Sequence, residues 1–148
     1  DKITPCEICF VWKEKDTKCA FCDDPARDET IVCVVESWHE LLVIERTQSF
    51  HGMYHVLGGV ISPLDGISAK DLKIEELVYR VLSQGIREII FALNLTPEGE
   101  ATAAFIARKL QGAPVKITCL AKGVPIGSNL EFVDRLTVSK ALADRKTF

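Results

Sequence analysis

No stretch of this sequence reaches the roughly 20 uninterrupted apolar residues that a membrane span needs, and the opening Asp1-Lys2-Ile3-Thr4-Pro5 lacks the apolar core of a secretory signal. A soluble, intracellular protein is the expectation. Excess positive charge is missing as well. With 18 Lys and Arg against 21 Asp and Glu, the formal net charge is -3, so no global field draws the chain toward phosphate. Any contact with DNA has to be local or shared with another surface. The three histidines, His39, His51 and His55, have no metal-ligand spacing relative to one another, and each is expected to be structural or solvent-exposed. No tyrosine nucleophile stands out, because Tyr54 lies on an apolar strand and Tyr79 on a helix, where both are expected to serve packing.

Cysteine is the residue that is present in quantity and in pattern. Of the six, Cys33 and Cys119 stand alone in apolar strands and are expected to be buried as small hydrophobes. The other four, Cys6, Cys9, Cys19 and Cys22, form Cys-x2-Cys-x9-Cys-x2-Cys. Each short turn folds its two sulfurs onto one ion, so two such knuckles deliver four thiolates tetrahedrally to a Zn2+. Paired disulfides are disfavoured without a secretory signal, and a redox motif has no need of the second pair. Four protein ligands leave no open position for water, so the zinc is expected to be structural rather than catalytic. Lys13, Lys15 and Lys18 sit between the knuckles among Glu14 and Asp16, a mixture that reads as a solvated face.

At 148 residues and 47% hydrophobic, the chain can bury a core of its own. Ile31 to Val35 is a β-branched run of the kind found in strands covered on both faces, ending at Glu36. Ser37-Trp38-His39-Glu40 has capping-box spacing and opens a helix. A strand at 53–57 and a loop with Gly58, Gly59, Pro63 and Gly66 follow. Ile74, Leu77, Val78, Val81 and Leu82 recur at helical spacing, with Gly85 closing the helix. A strand at 88–93, a helix at 98–110 and a strand at 115–120 complete the series. This alternation predicts an α/β fold with a mostly parallel sheet flanked by helices, behind a small N-terminal finger. A short strand at 136–138 and a last helix capped by Ser139 are expected near the end.

Ligands of such sheets bind outside the carboxyl ends of the strands. Glu36 and the stretch from Asn94 to Glu100 lie there. Glu98 and Glu100 have an ordinary role in the first turn of a helix, where acidic groups complement the dipole.

A four-cysteine finger followed by Val34-Val35-Glu36, then Gly52 to Ile67 (GMYHVLGGVISPLDGI), then Asn94 to Thr102 resembles the RecR family of bacterial recombination mediators, over essentially the whole chain. The strand and helix region is similar to the Toprim domain of topoisomerases, primases and some nucleases. In catalytic Toprim proteins a Glu ends the first strand and an Asp-x-Asp, often running into Glu-Gly-Glu, follows a later one to hold Mg2+. Here Glu36 and Glu98-Gly99-Glu100 match, whereas Asn94 and Thr96 occupy the aspartate positions. Neutral oxygens do not supply the charge that Mg2+ needs, so Mg2+ binding is expected to be weak or absent, the site vestigial and the protein not an enzyme. A Mg2+-dependent nuclease or primase using Glu36, Glu98 and Glu100 is the alternative.

The resemblance also implies the divisions 1–27 (zinc finger), 28–126 (Toprim) and 127–148 (a C-terminal element exchanged between subunits), since RecR proteins assemble as oligomers. A dimer is expected for this chain and a tetramer for a protein that carries the family's N-terminal helix-hairpin-helix region, which is absent ahead of Cys6. Partners implied are DNA, bound weakly here, and RecO or RecF type proteins, with RecA loading at gaps as the outcome. A cytoplasmic, nucleoid-associated location in a bacterium goes with that role. Arg27, Arg46 and Lys122 are the candidate phosphate contacts.

Overall fold

The computed structural model describes residues 2–148. It opens on a small antiparallel hairpin, β1 (Ile3–Pro5) against β2 (Trp12–Glu14), with Cys6 and Cys9 in the connection. Then β3 (Asp28–Val35), α1 (Trp38–Glu45), β4 (Gly52–Val56), α2 (Ile74–Ser83), β5 (Glu88–Phe91), α3 (Pro97–Lys109) and β6 (Lys116–Cys119) alternate, with two short 3-10 turns between β4 and α2. The sheet order is β4-β3-β5-β6 and every pairing is parallel. Among the described residues no helix is long and apolar enough to cross a membrane.

Strand alternation divides the core into two layers. Val32 and Val34 of β3, Met53 of β4, and Ile89 and Phe91 of β5 pack with Leu77 and Val81 of α2 and Ile106 of α3. On the opposite face Cys33, Val35, Tyr54 and Val56 pack with Leu41 of α1 and, in the same cluster, with Cys6, Cys9, Val11 and Cys19. The finger therefore has no separate core, and its cysteines complete one face of the sheet. It also covers an edge. In β4 the peptide groups of Tyr54 and Val56 point away from β3, and the Val56 N–H donates to the Cys9 carbonyl at 2.7 Å. An edge strand left open would present such groups for unwanted pairing.

Two expectations are corrected. No strand forms at 136–138. One helix, α4 (Arg135–Ala143), runs through it, because the Asp134 carboxylate caps the first turn, accepting from the Thr137 N–H at 3.0 Å and its hydroxyl at 2.6 Å. Ser139 lies inside that helix, and the weak β preference of Thr137 and Val138 is overridden by the cap. Cys119 is exposed, since it ends the outer strand β6 and borders an open groove beside α3; Cys33 is buried on a central strand, which pushes its thiol up to about 12.

Candidate functional site

The four-cysteine cluster is built by two knuckles that approach from opposite sides. In the first, Phe10 takes a positive φ of 66° and its N–H returns to the Cys6 carbonyl at 3.0 Å, while the Ile8 N–H points at Cys6 Sγ at 3.4 Å. In the second, the Asp23 carboxylate accepts from the Cys19 N–H at 2.7 Å and the Cys22 N–H points at Cys19 Sγ at 3.4 Å. Such N–H groups stabilise negative sulfur.

The four Sγ atoms all lie within 4.8 Å of one another, with Cys6 to Cys22 at 3.9 Å and Cys9 to Cys19 at 3.6 Å. A disulfide needs about 2.05 Å, so none is formed, and the cysteines are free. Sulfurs this close cannot all ionise without a cation between them. Cys9 feels that conflict most: the Cys22 sulfur beside it, then burial, push its thiol up. Burial also pushes Cys6 up, but the backbone N–H groups of Cys9 and Ile8 outweigh it and leave that thiol below its ordinary value. The arrangement can hold one metal ion.

The second candidate lies at the carboxyl ends of the central strands. Val34 of β3 pairs with Phe91 of β5, so the loops that follow meet above the sheet. Glu36 and Asn94 come together there. The Glu36 carboxylate accepts from the Asn94 side-chain amide at 2.7 Å and from the Asn94 backbone N–H at 3.2 Å. An aspartate at 94 would oppose Glu36 instead of donating to it. Thr96 serves α3: its hydroxyl caps the helix, accepting from the Gly99 N–H at 3.0 Å. Gly99 is required by contact, because a Cβ there would sit 2.1 Å from the Asn94 carbonyl oxygen. Glu98 accepts from the Thr102 hydroxyl through its main-chain carbonyl. Glu100 turns toward the C-terminal segment, with Lys122 at 3.4 Å and Lys140 at 3.3 Å, and Lys140 first and Lys122 second hold its carboxyl below the usual range. Of the five positions, only Glu36 and Asn94 are joined through their side chains; Thr96 and Glu100 meet only in the main chain of the first turn of α3, where the Glu100 N–H donates to the Thr96 carbonyl at 2.9 Å.

The chain matches the Toprim domain family model over residues 30–121 and the model described as "RecR, C-terminal" over residues 123–146. Recombination protein RecR of Rubrobacter xylanophilus is 48% identical over 99% of this chain and 73% of its own length. The RecR protein of Geobacter sulfurreducens is 49% identical over 95% of this chain and 70% of its own length. The chain belongs to the RecR family. A further relative, Recombination protein RecR of Bacteroides fragilis, is 46% identical over 97% of the chain and 69% of its own length. Family membership makes this a protein of DNA recombination and repair, with a Toprim domain and a cysteine cluster suited to a metal.

The three basic candidates differ in their freedom. The Arg27 guanidinium is committed: it donates to Glu45 at 2.5 Å and to the Gly52 carbonyl at 3.0 Å, and it faces the rings of Phe21 and Tyr54. Lys122 is engaged by Glu100, while Arg46 at the end of α1 is exposed. Periodicity missed Arg80, which stands on the buried stripe of α2 between Leu77 and Val81. Its spacing of three from Leu77 was the available signal. His55, read only as structural or exposed, is wholly buried, and burial lowers its pKa to about 3 and keeps it neutral.

Proposed function

We propose that this chain is a non-catalytic recombination mediator, which binds DNA and RecO or RecF type proteins to promote RecA loading at gaps. The observation that carries the reading is the occupied carboxylate at the Toprim position. Two N–H groups of Asn94 satisfy Glu36, in the place where a catalytic relative needs a second carboxylate and a metal. Phosphoryl transfer by two metals requires charge that is not assembled here.

The ion of the four-cysteine cluster is Zn2+. Tetrahedral zinc with bonds of about 2.3 Å places its sulfurs about 3.8 Å apart, a value bracketed by the separations of 3.6 and 3.9 Å. Cys6, Cys9, Cys19 and Cys22 hold it, and its contribution is structural. DNA contact is electrostatic and local, from exposed groups such as Arg46, and falls steeply as salt rises.

The C-terminal segment docks on a second copy. Leu130, Phe132, Leu136 and Leu142 are exposed, Phe132 by 78%, and neither α4 nor the turn at Leu130–Phe132 buries a residue. An apolar surface of this kind marks an interface. A groove of about 680 Å³ between α3 and β6, lined in part by Ala103, Ala107, Ile117 and Leu120, receives it.

Purified protein mixed with RecO or RecF type proteins and gapped DNA is expected to be retained with them and to leave the DNA uncut in Mg2+. Divalent-ion-dependent nicking would overturn the reading in favour of a Toprim enzyme. A variant tests the site itself. Asn94→Asp keeps the backbone donation but replaces the side-chain one by a repelling carboxylate beside Glu36, which raises carboxyl pKa values and destabilises the metal-free protein. Mg2+ then relieves the repulsion, so its presence should raise the melting temperature of Asn94→Asp by at least about 3 °C more than that of the parent. Adding Thr96→Asp should extend the response little, because Asp also caps helices. Equal responses in parent and variant would remove the site assignment.

A further inference from the structure

Arg80 is 4% exposed, an unusual position for a guanidinium, because a buried charge must be compensated. Among the described residues no carboxylate lies within ion-pair distance of it. Its Nη1 donates to the Tyr54 carbonyl at 2.7 Å and faces His55 Nδ1 at 3.3 Å, while its Nε has no partner. His55 cannot supply the missing charge. Its Nε2 lies 2.8 Å from the Lys73 carbonyl and must carry the proton, which leaves Nδ1 as a neutral acceptor.

The surroundings of Arg80 identify its counter-charge. It lies at the outer edge of β4, where the Tyr54 carbonyl and the Val56 N–H point the same way, and Cys9 takes the second of these groups. The finger and Arg80 thus share one seam. Phe10, next to Cys9, stands edge-on to His55 with ring centres 5.4 Å apart and holds the Lys73 ammonium over its face at 5.0 Å. Cys22 packs against the layer that holds Leu77 and Val81, the neighbours of Arg80 on α2. Burial lowers the pKa of Arg80, and the sulfurs of Cys22, Cys9, Cys6 and Cys19 oppose that loss of charge.

Four thiolates around a divalent ion carry a net charge of -2 on a cluster whose sulfurs are largely buried. Resting on the reading that a metal occupies this cluster, we infer that Arg80 is the buried counter-cation of the metal tetrathiolate, and that through it the metal and the α2 and β4 packing stabilise each other. Arg80 touches no ligand atom. It acts as a positioning and charge-balancing residue outside the coordination sphere, a place where substitutions commonly lower metal affinity by about 10- to 100-fold.

Arg80→Met keeps the length and removes the charge; Arg80→Lys keeps the charge and loses the fork. Zn2+ affinity is measured on the full chain by competition with a chromophoric chelator, and melting is followed with and without Zn2+. For Arg80→Met the expected result is at least about a tenfold loss of affinity. Its melting temperature should fall in the zinc-loaded protein and hold or rise in the metal-free protein, where an unpaired cation has been removed. Arg80→Lys should stay within about threefold of the parent affinity, because charge rather than fork geometry is what the cluster needs. An Arg80→Met affinity equal to that of the parent, or equal destabilisation with and without metal, would reduce Arg80 to a ligand of the Tyr54 carbonyl. If Arg80→Met does not fold, Arg80→Lys decides, since a tenfold loss there overturns the inference. A parent that binds no Zn2+ overturns both this inference and the metal reading, whereas a parent that binds it normally leaves Arg80 alone on trial.

Discussion

Replacing Cys9 by Ser, or stripping the metal with a strong chelator, should lower the melting temperature of the whole chain by at least about 10 °C. Structural zinc in finger peptides supplies about 10 to 16 kcal/mol of apparent binding energy, comparable to the entire stability of about 5 to 15 kcal/mol of a domain. In a chain of this size each kcal/mol corresponds to roughly 2 to 4 °C, so a modest share of that energy yields the expected fall. The loss cannot stay local. Cys6, Cys9 and Cys19 pack in one cluster with Val35, Leu41, Tyr54 and Val56, and the Cys9 carbonyl holds the edge of β4. Hydrogen exchange should therefore accelerate in residues 6–24, β4 and α1, also in the turn of α2 that carries Arg80, and least in α3, which belongs to the other layer. Spacing alone suggests a finger that disorders while the sheet persists. The shared core predicts a graded spread instead, and unchanged protection in β4 and α1 after metal removal would refute it.

The second large effect is expected at Glu45, on the same face. Its carboxylate accepts from both ends of the Arg27 fork and from the Tyr54 hydroxyl at 2.6 Å. Tyr54 is in turn wedged between the Phe21 and Phe50 rings. Glu45→Gln keeps the shape and removes the charge, leaving a guanidinium only 12% exposed with its main partner neutralised. Breaking a fully buried pair costs about 3 to 5 kcal/mol; about 2 to 3 kcal/mol is expected here, because the Glu45 side chain is 25% exposed and Asp24 stays 3.6 Å from Arg27.

Acid titration gives an independent reading of the same pair. Burial alone would raise the Glu45 carboxyl, but Arg27 and Tyr54 reverse that and hold it below its ordinary value. A carboxyl depressed in the folded state contributes stability that is complete above the unfolded value of about 4.3 and is lost as pH falls through the folded one. Urea midpoints measured from pH 6 downward should therefore drop in the parent below about pH 4.3, with Glu45→Gln lacking that part of the fall. Parallel pH profiles would show that Glu45 is not ionically coupled to Arg27.

Pattern carried most of the fold and half of the chemistry. The β-branched run of β3, the stripe of α2 and the alternation of elements are statements about period, and period decides which face of an element is apolar. Cys-x2-Cys spacing brings two sulfurs together through local turns, so the metal cluster is legible before any long-range contact is known. Asn94 and Thr96 are equally plain, because their side chains lack the charge of the residues that they replace. The end of the chain shows where pattern fails. Thr137 and Val138 favour a strand only weakly, and one cap at Asp134 outweighed them.

What the sequence could not contain is which separate segments share a surface. Tertiary structure decided that Glu36 is satisfied by Asn94, 58 positions away, and that Arg27 faces Glu45 instead of solvent. It also decided that Cys119 lies on an outer strand while Cys33 lies inside, although both occupy apolar runs. Arg80 is the clearest case. On a helical wheel it is a cation among aliphatic residues, and nothing local says whether it bends to water or stays. It stays because the free edge of β4 offers a carbonyl and the finger, folded against that same edge, brings four sulfurs whose charge a buried cation can balance. Periodicity fixes the direction a side chain leaves its own element, whereas the charge it meets is set by elements that the chain adds elsewhere.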